Sequence, residues 1–427
     1  MAAPNAAAAD ADAAPRREPQ APRLVRGLSE LLASGRYTGV FLDQFGVLHD
    51  GRDAYPRAAE AVRRAATDAG AAVVVVSNSS RRARGALGRL ERLFGFDRAW
   101  FRGAVTSGEV AHAALEGARG EVGAEDEGWA TMAAAAGEAA DEGGEEGGAE
   151  RGRRDGTGRR RRRRVLHVSW AARAGAGGGI ALPEGYATVG ADPDAAELIV
   201  AHGTEGVAAA SDAASSSSPP ADVVPMPLAE IQALLARAAA RGADAPPMVV
   251  ANPDLVTVDG PGRLAVMPGT LARAYAAAGG GPVVLMGKPA GRIYRAARAL
   301  AAAAEEEDEG GRRGRRRRPE EERWLMIGDS LEHDVAGAAA ASRELGVAVD
   351  ALFVAAGIHA DELGFVPPAD LADANGGVRQ GAWSGLSAPS AAAAAAATPE
   401  AAPAALAELC ARLGVEPPAY ATGYLQW

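Results

Sequence analysis

"GVFLDQFGVLHDG", residues 39–51, is the stretch on which the fold turns. An apolar run stops at a carboxylate, Asp43, and Gly46 then lets the chain turn sharply. The pattern recurs three times: "VVVVS" ends at Ser77, "VVLMGK" at Lys288 and "WLMIGD" at Asp329. Continuous apolar runs of this length suit strands buried on both faces. Helical stretches follow them: "AAEAVRRAATDAG", "RARGALGRLERLFG", "GRIYRAARALAAAA" and "DVAGAAAASRELG". The alternation predicts an α/β fold, a doubly wound parallel sheet with right-handed crossovers. Ligands of such sheets sit just beyond the carboxyl ends of the strands. Four polar residues from distant parts of the chain are therefore expected to converge on one site.

Each strand end has its own chemistry. Asp43 can be a metal ligand, a nucleophile or a strand-end cap. Ser77 and the backbone amide of Asn78 can bind phosphate oxygens, and Ser77 can equally be a helix N-cap. Lys288 is the one lysine among 45 basic residues, the others all being Arg. A compact ammonium balances phosphate and carboxylate charge as a point charge, which the broader guanidinium does not match in a tight site; a chance survivor is the plainer reading. Asp329 and Asp334, in "MIGDSLEHD", flank a helix start and suit a hard cation such as Mg2+. Taken together these groups make an aspartyl-phosphate machine. A carboxylate attacks phosphorus, charge is neutralised beside it, and water hydrolyses the acyl phosphate.

The totals narrow the setting. The chain has 427 residues, 48% of them hydrophobic, with aromatics only 5%, so its folded part is expected to be smaller than its length. A net charge of -10 argues against nucleic acid as the main partner. One cysteine excludes a disulfide framework and fits a reducing compartment, read here as cytoplasmic with organellar targeting left open. No apolar run approaches a membrane span. Oligomeric state is unspecified, and a homo-oligomer is compatible with the sequence.

The motifs resemble the haloacid dehalogenase superfamily, class IIA, the group of NagD and the p-nitrophenyl phosphatases. Motif I matches "DQFGVLHDG", motif II "SN", motif III "GKP" and motif IV "GDSLEHD", and "NPDLV" (252–256) matches the return from cap to core. The resemblance implies that Asp43 is the nucleophile and that Ser77, Asn78 and Lys288 bind phosphate; Asn252 joins the candidate substrate-binding set from its place at the hinge. It implies Mg2+ held by Asp43, Asp329, Asp334 and the backbone carbonyl of Phe45. It also implies a small phosphorylated substrate. The expected organisation is an N-terminal extension 1–37, a core from 38–104 and 252–372, and an inserted α/β cap 105–251. A low-complexity insert covers about 120–164 and a charged insert 305–322, followed by a linker 373–402 and a C-terminal helix and tail 403–427.

One departure stands out. The family carries a second Asp two residues after the nucleophile, as general acid and then base; here that position is Phe45. General acid–base catalysis is worth roughly 100- to 10,000-fold, so alkyl phosphates should turn over slowly. The alternative is a weak or inactive phospholigand-binding protein that keeps the fold. His49, in the same loop, titrates near neutrality and could shuttle a proton, but a local hydrogen-bonding role is the favoured reading. Asn252 and Asp254 make an Asx turn around Pro253 or line the cleft. His112, His167, His202, His333 and His359 show no metal-ligand spacing and receive no role.

Overall fold

The computed structural model describes residues 21–55, 57–117, 162–171, 181–211, 222–258, 264–308, 321–360, 362–363 and 402–427. Residues 373–401 of the expected linker and most of both inserts lie outside these residues. Among the described residues no helix is long and apolar enough to cross a membrane.

Seven strands make an all-parallel sheet: β1 (Arg23–Leu24), β2 (Gly39–Leu42), β3 (Ala72–Ser77), β4 (Gly103–Thr106), β14 (Arg323–Gly328), β15 (Ala348–Val354) and β16 (Tyr420–Thr422). Their spatial order is β1-β16-β15-β14-β2-β3-β4. Alternate residues of the apolar runs serve opposite faces. Val40, Leu42, Val73, Val75, Leu325 and Ile327 meet α1 (Ser29–Leu32), α2 (Ala58–Thr67) and α3 (Ala86–Phe94) on one side. Phe41, Val74, Val76, Met326 and Phe353 face the other side, packed on three helices taken up below. Burial on both faces explains why these strands read as unbroken apolar runs.

A second sheet follows α4 (Ser107–Gly117). It is built from β5 (Arg163–Ser169), β6 (Tyr186–Thr188), β7 (Leu198–Ala201), β8 (Gly206–Ala208), β9 (Val223–Pro225), β10 (Met248–Val250) and β13 (Val283–Leu285), in the order β13-β10-β7-β5-β8-β9 with β6 on β5. α4 packs on one face through Ala111 and Leu115. α5 (Leu228–Ala239) and α6 (Pro268–Ala277) cover the other through Ile231, Leu235, Leu271 and Tyr275. β11 (Val256–Val258) and β12 (Leu264–Val266) form a separate antiparallel hairpin. The first sheet's second face is closed by α7 (Gly291–Asp308), α8 (Ala336–Leu345) and α9 (Ala402–Leu413).

Four sequence expectations are corrected. The run ending at Lys288 is not in the sheet of the other three; β13 pairs with β10 at the edge of the second sheet. An apolar run announces a buried strand but not which sheet it joins. The low-complexity stretch ends earlier than 164, because Arg163 and Arg164 open β5. α7 runs on through Asp308, into the charged segment placed at 305–322. The terminal segments are not appendages: β1 lies within the 1–37 extension, and β16, from the expected tail, sits between β1 and β15. Strands of two or three residues leave no periodic signal.

Candidate active site

The carboxyl ends of β2, β14 and β13 bring Asp43, Asp329 and Lys288 together. Lys288 Nζ lies 2.7 Å from Asp43 Oδ1 and 2.7 Å from Asp334 Oδ1. Carboxylate oxygens of Asp43, Asp329 and Asp334 all fall within 4.8 Å of one another. All four residues are buried.

Local backbone chemistry holds each in place. Asp43 N–H donates to the Ile327 carbonyl at 2.9 Å, locking the end of β2 against β14. Asp329 Oδ2 accepts the Ile358 N–H at 2.8 Å, and Asp334 Oδ2 accepts the Ser330 N–H at 3.0 Å. Gly46 has φ 79°, and a Cβ there would stand 1.9 Å from Asp329 Oδ2. The first glycine after the nucleophile thus serves both the turn and the close approach of the carboxylate. At Gly357 a Cβ would stand 2.1 Å from the same oxygen.

Beside the backbone-amide role expected of it, Asn78 does a second job with its side chain. Its Oδ1 accepts the Lys288 N–H at 2.7 Å, and its Nδ2 donates to the Lys288 carbonyl at 3.2 Å and to Asp254 Oδ1 at 2.8 Å. The side chain therefore clamps the lysine's backbone, and only its own N–H is left for an anion. Ser77 Oγ accepts from the Ser79 N–H at 3.3 Å. Asn252 Oδ1 accepts the Asp254 N–H at 2.9 Å, an Asx turn that presents Asp254 to Asn78.

Phe45 turns its ring back over its own loop. A Cβ on Gly51 would come within 2.9 Å of it, and it meets His49 edge-on at 5.8 Å. His49 stacks on Phe94 at 4.1 Å with 6° between the planes, and its Nδ1 accepts the Gly51 N–H at 3.0 Å. Burial pushes its pKa down to about 4. A buried, neutral imidazole with one nitrogen already engaged is a loop-stacking residue rather than a proton shuttle.

Charge shapes the rest. Burial raises Asp43 to about 7, with Lys288 opposing and Asp334 adding to the rise. Burial also lifts Asp329 well above the usual carboxylate range, helped by Asp43 and Asp334. Burial works against the Lys288 charge, but Asp334 and Asp43 outweigh it and hold the ammonium protonated. Ionising all three carboxylates beside one ammonium would put two net negative charges in a buried pocket. A divalent cation balances that charge, and an all-oxygen donor set suits a hard one.

Two family models match the sequence, haloacid dehalogenase-like hydrolase over residues 40–132 and HAD-hydrolase-like over 285–373. Both matched segments are those of haloacid dehalogenase-like hydrolases. Similar solved structures include a hydrolase of the haloacid dehalogenase-like family from Brucella suis, at 24% identity over 84% of this chain and 96% of that one, TM-score 0.48. p-Nitrophenyl phosphatase from Archaeoglobus fulgidus is 17% identical over 75% of this chain and 87% of that one, TM-score 0.42. NagD from E. coli K-12 is 17% identical over 75% and 89%, TM-score 0.40. No curated protein matches the chain.

Sequence reading of this hydrolase missed three residues around the site. Tyr294 on α7 is fully buried, and Asp334, Lys288 and Asp43 all act on its hydroxyl electrostatically. Gly357 and His359 follow β15 in "AAGIH", which carries no motif. A glycine soon after an apolar run is the one signal the sequence offers there.

Proposed function

We propose that this hydrolase is a Mg2+-dependent phosphatase of class IIA acting on a small phosphorylated metabolite through an aspartyl-phosphate. The second sheet, inserted between the Ser77–Asn78 and Lys288 motifs, then serves as the cap. The observation that carries the reading is one ammonium within 2.7 Å of both Asp43 and Asp334. Asp329 lies in the same pocket.

In this reading Asp43 attacks phosphorus. A carboxylate oxygen forms the new P–O bond, and the ester P–O bond breaks with its electron pair on the leaving oxygen. Lys288 neutralises charge on the transferring group. The Ser77 hydroxyl and Asn78 N–H bind phosphate oxygens, and Asn252 contributes to the cleft wall. Water then attacks phosphorus, returning the Asp43 carboxylate and inorganic phosphate. Asp43, Asp329 and Asp334 would hold Mg2+, with the Phe45 carbonyl as a further oxygen; bound there, the ion supplies Lewis-acid stabilisation of phosphoryl charge. Residue 45 has no proton to give, so substrates with good leaving groups are favoured.

The test is phosphate release from p-nitrophenyl phosphate with Mg2+. Asp43→Asn should lose at least about 1,000-fold, as removal of a nucleophile does. Equal activity in the two proteins overturns the assignment. Phe45 also favours a second reading, a phospholigand-binding protein without turnover. Tight, Mg2+-dependent beryllofluoride binding, with no ester in a broad panel hydrolysed, would select it.

A further inference from the structure

The loop after β15 reaches the metal end of the site and the C-terminal helix at once. Ile358 N–H grips Asp329 Oδ2 at 2.8 Å. The next residue, His359, is buried. Its Nδ1 lies 2.5 Å from Glu362 Oε2. A carboxylate only accepts, so Nδ1 carries the proton and Nε2 presents a lone pair. That lone pair faces the Leu331 N–H at 3.5 Å. Leu331 is the first residue of the tight turn 331–335 that ends beside Asp334, so its N–H is one of the donors a helical turn leaves without an internal partner. The other oxygen of Glu362 lies 2.7 Å from Arg412 Nη2 on α9.

One imidazole therefore bridges the loop that orients Asp329 and the turn that orients Asp334, and its far side is tied to α9. We propose that His359 is a positioning residue for the metal-binding carboxylates, and that Glu362 and Arg412 make the C-terminal helix part of that support. This rests on the metal-site reading above. His359 touches neither substrate nor cation; it acts by fixing the spacing between residues 329 and 334.

Mn2+ titration, read by the electron paramagnetic resonance of the free ion, tests it. His359→Leu should weaken Mn2+ binding by about 10- to 100-fold, the range for loss of a group that orients metal ligands. Turnover at saturating metal should stay within about twofold, so the defect appears in metal activation and not in kcat. His359→Gln, which can still accept from Leu331 and donate to Glu362, should recover most of the affinity. Arg412→Met, at the exposed end of the chain of contacts, should give a smaller defect of the same kind. It keeps the question open to measurement if His359→Leu fails to fold. Wild-type affinity in folded His359→Leu, or in Arg412→Met should the first variant not fold, overturns the proposal and leaves the metal site intact. Absence of Mn2+ binding by the wild type overturns the metal site itself.

Discussion

Lys288 is a lysine where 44 other basic positions are arginine, because two carboxylate oxygens converge on one point. A guanidinium spreads its donors over a planar fork and would need oxygens further apart. Its isolation in the sequence made this position legible. Phe45 is legible as a substitution, but the packing of its ring is not; it lies against Gly51 and edge-on to His49, within its own loop. Phe45→Asp should therefore return an acid without displacing the site. Turnover of alkyl phosphates should rise by up to about 100- to 10,000-fold, and p-nitrophenyl phosphate should gain much less, since its leaving group needs little protonation. Steady-state kcat/KM on both esters checks this. An unchanged alkyl-to-aryl ratio in a folded variant would show that proton donation does not limit turnover.

At the scale of elements, β5 and β7 carry a feature no motif announced. His167 Nε2 and His202 Nδ1 meet at 2.9 Å on the face covered by α4. Period-two alternation aims both at that face, yet 35 residues separate them, so spacing alone could not pair them. Burial depresses His167 to about 4 and His202 well below its ordinary value. Each folded pKa lies below the unfolded one. As pH falls from 6.5, the ordinary histidine value, toward 4, the unfolded chain takes up protons that the folded one refuses, so stability falls. His167 alone accounts for about 3 kcal/mol across that window. His49 acts with the same sign, while Asp43, raised on folding, acts with the opposite one. Urea unfolding at pH 7 and pH 4.5 should show a smaller acid loss in a His167→Gln/His202→Gln variant than in the wild type. Equal losses would mean that the pair is not a source of acid sensitivity.

Across the whole molecule, the sequence announces what a single segment carries by itself. Parallel strands buried on both faces appear as apolar runs, and their polar ends mark the site. What escaped notice was assembled from far-apart pieces: the sheet to which β13 belongs, the loop around His359, and the partnership of the two termini. In the last case β16 inserts between β15 and β1, matching Leu352–Val354 on one side and Arg23–Leu24 on the other. Three residues of strand give no pattern of their own, and their register exists only once β15 is in place.

That arrangement predicts a steep gradient of stability over the last eight residues. Trp427 receives the Arg64 guanidinium at 4.8 Å and packs, partly buried, against the core on that face. Removing Trp427 alone should cost about 0.5–2 kcal/mol. Removing 420–427 takes away the ladder between β15 and β1, the buried Ala421 and Leu425, and the Gln426 carbonyl that accepts the Leu28 N–H at 2.8 Å. Burial of one leucine is worth about 1.5–3 kcal/mol, and stranding the buried partners of the lost hydrogen bonds adds about 1–3 kcal/mol each. The longer truncation should therefore lower stability by at least about 3 kcal/mol and shift thermal unfolding followed by near-ultraviolet circular dichroism. If both truncations unfold at the same temperature as the full chain, β16 is not an integral strand of the sheet.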